Sequence, residues 1–265
     1  MFFDEIKSLF KGIKLKDFLF FLSVPILISI IHLFDYFFNI SNYLVLNINN
    51  PSFWQFFTSS FVHLSSSHFF NNLNSILIIG VILLIISTKI DKNKEFLKFF
   101  FLITLILPFL ISFFHVIFNP FNVEIMAGSS GLLSAYLGLI PLFWGRLFLK
   151  SNKNMYKLIL SMLFYVLFVF VFRYHSVRFS LFFLLMFFIF LIYLNFNEID
   201  FKKYNSLKYL YKMLFLFPIL FFLISIHVYV FPLDLIIDGN IVEYFSHFIG
   251  ILLGIIISLI SLYIN

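Results

Sequence analysis

The feature that most constrains this chain is a series of long apolar runs in which charged residues are almost absent. An α-helix needs about 20 apolar residues to cross the hydrocarbon core of a bilayer, and several runs reach that length. Of the 265 residues, 62% are hydrophobic and 11% are charged, whereas roughly a quarter of a soluble domain is charged. The sequence therefore predicts an all-α integral membrane protein. No repeat or low-complexity linker divides the chain, so we expect a single membrane domain over residues 1–265.

Hydropathy predicts about eight transmembrane helices. They are expected at about residues 18–38, 66–88, 96–118, 130–149, 156–173, 178–196, 210–231 and 241–264. The break between the fifth and sixth spans, around Arg173 and His175, is short. Merging these two spans would move the later lysines to the other side of the membrane.

The basic residues indicate the orientation, because Lys and Arg concentrate in cytoplasmic loops. With eight spans, sixteen of the eighteen Lys and Arg residues lie on one side, and only Arg173 and Arg178 lie on the other. Both termini are therefore expected in the cytoplasm. The net charge of +6 is explained by these short loops, so we expect no nucleic-acid partner. No small-residue cleavage site follows the first span, which argues against a cleavable signal peptide.

Polar residues cluster where the second span begins. His68 and Asn72 are four residues apart and share one face of a helix, and His63 lies at or just before its start. Polar side chains are costly inside a bilayer and usually face the bundle interior, where they pair or serve function. A single histidine there is more often a packing residue. Two histidines and an asparagine at this spacing favour a functional site.

The fourth and eighth spans carry small residues that suit close packing of helices. The small residues are Gly128, Ser129, Ser130, Gly131, Ser134, Ala135 and Gly138 in the fourth span, and Gly250 and Gly254 in the eighth. If these two stripes pack together, His247 lies beside Ser130. Close helix packing alone explains the small residues around Ser130 equally well. Support for a catalytic function must therefore come from the other residues at the same depth in the membrane.

Depth can be counted along each helix, which rises about 1.5 Å per residue. Measured from the cytoplasmic end of its span, Ser130 lies about 24 Å deep, His247 about 24 Å and Asn72 about 26 Å. In a hydrocarbon core about 30 Å thick, all three lie slightly below the outer surface. This common depth favours a functional site over independent packing.

These residue types suit acyl transfer. A serine hydroxyl is a weak nucleophile until a base takes its proton, and a neutral imidazole can do so near pH 7. We expect His247 to be the base for Ser130. His68, Asn72 and the main-chain N–H of Ser130 are expected to stabilise the oxyanion. No Asp or Glu lies at this depth, which predicts a dyad rather than a triad.

At these residues the chain resembles the rhomboid family of intramembrane serine proteases. The family pattern of His, four residues, His, three residues and Asn is met by His63, His68 and Asn72. Its Gly-x-Ser-Gly is met by residues 128–131, and its last-span His-x-x-Gly-x-x-x-Gly by His247, Gly250 and Gly254. The segment from Trp54 to His63 also looks rhomboid.

The resemblance implies a rhomboid-like helical bundle with a six-helix core and two extra spans between the serine and histidine helices. It implies Ser130 as nucleophile and His247 as base, with His68 and Asn72 assisting the oxyanion. Structural support would come from His63, Gly128, Gly131, Gly250 and Gly254. The expected activity is cleavage of transmembrane protein substrates near the outer face of the cell membrane. No metal and no other cofactor is expected, and the remaining partner is the lipid bilayer.

Several positions depart from the family pattern. Gln55 follows Trp54 where rhomboids often carry Arg, and Leu84 lies four residues after Gly80 where they often carry Glu. Ser134 replaces an aromatic residue often found four residues after the serine. The usual core has one span between the serine and histidine helices, whereas this chain has three. Adding two spans preserves parity, so the eighth span still enters from the outside.

Two other functions stay open at this point. A catalytically inactive rhomboid-like protein that binds transmembrane segments would carry the same fold, and a transporter would carry charges along a path through the spans. The remaining histidines and the acidic residues of the last outer loop are expected to be structural or solvated. They are His32, His115, His175, His227, Asp234, Asp238 and Glu243. The gate for lateral substrate access could be either the seventh or the fifth span.

Overall fold

The structure, a computed structural model, describes residues 10–118, 124–149, 151–174, 177–193, 209–231, 236–237, 240–241 and 244–264. The expectations for His175, for the lysines between residues 202 and 208 and for the acidic residues of the last outer loop fall outside these ranges.

Each of the eight predicted spans corresponds to a helix or, for the fourth, to two consecutive helices. In chain order the helices are α1 (Leu15–Phe38), α2 (Ser41–Leu44), α3 (Gln55–Thr58), α4 (Ser66–Lys89), α5 (Asn93–Phe118), α6 (Ser130–Gly138), α7 (Ile140–Phe148), α8 (Asn152–Tyr174), α9 (Val177–Ile192), α10 (Tyr209–Ser225) and α11 (Tyr244–Ile264). Within the described residues, six segments are long and apolar enough to cross a membrane, with α6 and α7 counted together. The shorter apolar helices are α9 and α10. The chain is therefore a multi-pass helical membrane protein, and the side on which its termini lie stays a prediction.

The span that begins at Ser130 forms the centre of the bundle. In its most apolar stretch 94% of the residues are buried, against 50% or less in the other five long spans. Helix α6 packs against α4, α5 and α11, and α7 packs against α8 and α10. The two halves meet at Leu139, two residues before Pro141. Proline has no N–H to donate to the preceding turn, so it is tolerated at the start of α7 and interrupts a continuous helix.

Small residues let α6 and α11 approach until their backbones touch. A Cβ added to Gly250 would overlap the carbonyl oxygen of Gly131, and one added to Gly254 would overlap that of Ala135. A Cβ on Gly138 would lie 2.8 Å from the carbonyl oxygen of Ile251. This confirms the predicted packing of the two small-residue stripes.

The connection between α1 and α4 is folded over the end of the bundle where α6 begins. After α2 it forms β1 (Leu46–Asn47), which pairs antiparallel with β2 (Ile125–Met126), four residues before Ser130. Helix α3 and a 3₁₀ turn (Ser59–Phe61) then lead to α4. A second short ribbon, β3 (Ile236–Ile237) and β4 (Asn240–Ile241), precedes α11, and a π-helical turn (Ile226–Val230) follows α10.

At the opposite end of the bundle, three helices are joined by one polar cluster. The Glu95 carboxylate of α5 forms an ion pair with Arg146 of α7 and accepts a hydrogen bond, at 2.6 Å, from the Ser261 hydroxyl of α11. Arg146 also donates to Ser261 at 3.0 Å. At position 84, where rhomboids often carry Glu, Leu84 is buried in the apolar core.

Candidate active site

The backbone before α6 is shaped by a glycine. Gly128 has φ +121°, which L side chains rarely adopt, and its N–H donates to the Ser59 carbonyl at 2.9 Å. A Cβ at this position would lie 2.7 Å from Cε1 of His68. Gly128 therefore lets the chain turn into α6 while the His68 ring packs directly against it.

The two neighbouring serines have different surroundings. Ser129 precedes α6, is fully buried, and its hydroxyl lies 3.2 Å from Nε2 of His63. Ser130 is the first residue of α6 and is partly exposed. Its main-chain N–H lies in the first turn, where the N–H groups of a helix have no intrahelical acceptor. Accessibility thus favours Ser130 over Ser129 as the residue that can meet a substrate.

His63 joins the loop before α4 to α4 itself and to the segment before α6. Its Nε2 lies 3.1 Å from Nδ2 of Asn72 and 3.5 Å from the main-chain nitrogen of Ser129. Both of these nitrogens are donors, so Nε2 carries the lone pair and Nδ1 the proton. Burial, followed by the neighbouring rings of His68 and His32, lowers the pKa of His63 to about 3. This neutral, fully enclosed ring fits the structural role expected for it.

His68 and Asn72 lie on adjacent turns of α4 near Gly128. His68 is partly buried, and its ring lies 5.3 Å from that of His63. The main-chain N–H of His68 donates to the Ser65 hydroxyl that caps the helix. Asn72 is buried and uses one amide N–H for His63. The second N–H of the same amide leaves Asn72 able to donate to another acceptor. The oxyanion role of both residues stays a prediction.

His247 lies at the crossing of α11 with α6. Gly131 faces the carbonyl of Ser246 on one side and Gly250 on the other, so the residues next to Gly131 and Ser246 belong to the same crossing. His247 is buried, and its Nδ1 lies 2.9 Å from the Val230 carbonyl oxygen. A carbonyl only accepts, so Nδ1 carries the proton and Nε2 keeps a lone pair. This is the tautomer that a base requires.

Among the described residues Ser130 and His247 share no hydrogen bond, although each is next in sequence to a residue of the Gly131–Ser246 contact. The carbonyl of Ser130 accepts from the Ser134 hydroxyl at 2.9 Å, and Nδ1 of His247 contacts Val230. Catalytic hydrogen bonds are often long or poorly aligned without substrate and tighten when substrate binds. The crossing therefore places both residues next to the same helix–helix contact, and their joint catalytic role stays a prediction.

Gln55 supports the loop above the site where rhomboids often carry Arg. Its Oε1 accepts from the main-chain N–H groups of Asn47, at 3.3 Å, and Ser52, at 3.1 Å. Its Nε2 donates to the Tyr43 carbonyl at 3.4 Å, and the side chain is buried. The shorter amide thus connects three parts of the loop.

Two features of the site had no clear signal in the sequence. The first is the contact between Ser129 and His63, because the sequence does not show that the residue before the expected nucleophile packs on a histidine 66 residues earlier. The second is the Val230 carbonyl, a backbone group that no residue type indicates.

Of the histidines outside the motifs, His32 stacks on Phe69 with ring centroids 4.0 Å apart, and Nδ1 of His227 lies 3.2 Å from Arg173. Among the described residues no three His, Cys, Asp or Glu side chains could hold a metal ion.

Comparison with known families agrees with this geometry. The profile of the Rhomboid domain matches residues 50–182, half of the chain, which include His63, His68, Asn72 and Ser130. The match ends before α11, so the position of His247 rests on the structure. Searches of curated proteins and of solved structures gave no match. Because the match spans half of the chain and the fold is a membrane bundle of apolar helices around a central serine span, this protein belongs to the rhomboid family.

Proposed function

We propose that this protein is an intramembrane serine endopeptidase that hydrolyses peptide bonds of transmembrane proteins near the outer face of the cell membrane. The observation that carries the proposal is the crossing of α6 and α11. There a partly exposed serine at a helix start is next in sequence to Gly131, and a buried histidine whose Nδ1 is already hydrogen-bonded is next in sequence to Ser246, whose carbonyl meets Gly131.

The first step is attack on the scissile carbonyl. Nε2 of His247 takes the hydroxyl proton of Ser130 while Oγ bonds to the carbonyl carbon, and the carbonyl π electrons move onto oxygen. His68, the free N–H of Asn72 and the main-chain N–H of Ser130 are the donors for the resulting oxyanion. Each donor removed from such a site costs about 10²–10³ in kcat.

The second step releases the products. The tetrahedral intermediate collapses, the C–N bond breaks, and the imidazolium of His247 gives its proton to the leaving amine. Water then attacks the acyl-enzyme with His247 again as base, and the imidazolium gives the proton to Oγ as the Oγ–C bond breaks, which releases the carboxyl product and restores Ser130 and the neutral His247. No metal or other cofactor takes part in these steps.

Paired serine variants test the proposal. Ser130→Ala should abolish cleavage of a transmembrane substrate in proteoliposomes, whereas Ser129→Ala should lower stability but keep cleavage. A serine-directed fluorophosphonate probe should label wild type at Ser130 and should not label Ser130→Ala. Cleavage by Ser130→Ala at the wild-type rate would overturn the proposal. An unlabelled Ser130 in the folded wild-type protein would instead support the non-catalytic, segment-binding alternative.

A further inference from the structure

We propose that α8 positions the base. Its Phe170, Arg173 and Tyr174 side chains, here called the α8 clamp, hold the π-helical turn against α11, so that the Val230 carbonyl fixes the Nδ1 proton of His247. This inference deepens the proposed function and rests on it for the role of His247. It also assigns a task to a helix that lies between the serine and histidine helices in the chain.

The Val230 carbonyl does for His247 what a carboxylate does in a catalytic triad. A histidine that acts as base or ligand is commonly oriented by a hydrogen bond from its other ring nitrogen. Here that acceptor lies 2.9 Å from Nδ1, and Val230 is 2% exposed, so water cannot readily replace it. When Nε2 takes the serine proton, the carbonyl dipole remains beside the protonated ring.

The carbonyl is presented by an irregular piece of helix. Phe231 donates its N–H to the Ile226 carbonyl at 3.0 Å, which closes a turn with one residue more than an α-helical turn. Such π-helical turns are rare and occur frequently at functional sites. The position of its carbonyl depends on what packs around the turn.

The α8 clamp contacts the π-helical turn and the residue that follows it. Nη2 of Arg173 lies 3.2 Å from Nδ1 of His227, within the turn. The Phe170 ring lies 5.5 Å from that of Phe231, and Tyr174 also faces Phe231 at 6.1 Å. One charge-assisted hydrogen bond and two aromatic contacts therefore join α8 to the turn.

Two residues of the clamp, Phe170 and Tyr174, also contact α11, the helix that carries His247. Phe170 stacks on Phe248 with ring centroids 4.1 Å apart, and Tyr174 stacks on Tyr244 at 3.8 Å. Phe248 and Tyr244 lie on either side of His247 in α11. The clamp thus contacts both partners of the Val230–His247 hydrogen bond, and its loss should loosen that bond.

Nitrogen-15 NMR of the histidine rings tests this directly, because the shifts of the two ring nitrogens distinguish the tautomers. In the full-length protein in bicelles, the His247 signals are assigned by their loss in His247→Gln. Wild type should show His247 protonated at Nδ1. Phe170→Leu and Arg173→Met should shift it toward a mixture of tautomers, and Arg173→Lys should restore part of the wild-type signal.

Two exposed residues supply matched controls. Phe172→Leu removes a ring that is 52% exposed on the same helix, and Arg178→Met removes an exposed charge at the start of α9. Both should leave the His247 signals unchanged. A wild-type ring protonated at Nε2, or clamp variants that match wild type, would overturn the inference.

Kinetics separates this inference from the proposed function. With a transmembrane substrate, Arg173→Met should lower kcat about tenfold, a partial loss of the roughly 10²–10⁴-fold attributed to general acid–base catalysis, and leave KM within about twofold. A change in KM alone would mean that the clamp shapes substrate binding and would contradict the inference. If wild type shows the Nδ1 tautomer and the clamp variants lose it while no cleavage is found, the positioning stands and the protease assignment fails.

Discussion

The carbonyl oxygen of Gly131 occupies the space that a side chain on Gly250 would need. At this crossing α6 and α11 touch through their backbones, and the residues expected to be nucleophile and base each lie next to a residue of the contact. Packing and candidate chemistry therefore depend on the same two glycines.

The first prediction concerns this crossing. Gly250→Ala should push α6 and α11 apart because the added methyl meets backbone rather than a flexible side chain, and it should destabilise the fold by about 1–3 kcal/mol. Cleavage should fall more than stability alone explains. Gly145→Ala is the matched control, because its Cβ would lie 3.2 Å from the movable Met155 side chain. Thermal unfolding of both variants in micelles gives the comparison, and equal stability of Gly250→Ala and wild type would contradict the prediction.

The second prediction follows from the buried His63 ring. Burial and the neighbouring histidines lower its pKa from 6.5 in the unfolded chain to about 3 in the fold. Between these two pH values the unfolded state therefore binds more protons than the folded state. The free energy of unfolding is at its full value, as far as His63 is concerned, above pH 6.5, and it decreases as the pH falls toward 3. The contribution to the slope is up to about 1.4 kcal/mol per pH unit.

Unfolding free energies measured between pH 7 and pH 5 test the sign. Stability of wild type should fall with acidification, and His63→Gln, although less stable at pH 7, should have a flatter profile. Parallel profiles for the two proteins would show that His63 does not titrate as this burial requires.

The third prediction concerns the cluster at the opposite end of the bundle. Glu95→Gln should cost about 3 kcal/mol, because it leaves the Arg146 guanidinium, whose side chain is 9% exposed, without its carboxylate. Lys92 also faces Glu95, at 3.9 Å, but is 45% exposed, so Lys92→Ala should cost less than about 1 kcal/mol. Denaturant titration distinguishes the two, and a Lys92 effect as large as that of Glu95 would rule out this account.

The fourth prediction concerns the loop above the site. Gln55→Ala leaves the N–H groups of Asn47 and Ser52 without their acceptor, which should cost about 1–3 kcal/mol. Trp54→Phe removes a single bond at 3.0 Å from an exposed indole to Tyr43, so it should cost less. Limited proteolysis of the loop should be faster for Gln55→Ala. If Trp54→Phe opens the loop more readily, the indole rather than the amide is the main support.

Much of the architecture follows from local patterns. Within the described residues, six apolar runs are long enough to specify their own membrane helices, since backbone groups in lipid must be satisfied within the segment. The small-residue stripes through Gly131 and Gly250 specify close packing, and the motif residues on α4 and α6 supply the candidate site residues. These features depend on spacing along one helix, which the sequence contains in full.

Other properties arise only when distant segments meet. Whether Ser129 or Ser130 is buried depends on where His63 lies, 66 residues earlier in the chain. The tautomer of His247 depends on the Val230 carbonyl, a group that every residue carries and that no residue type marks. The sequence alone therefore determined the membrane helices, the close-packing stripes and the candidate residues. The tertiary structure decided which serine is partly exposed, which nitrogen of His247 keeps its lone pair and what α8 contacts, because each depends on contacts between helices rather than on spacing within one.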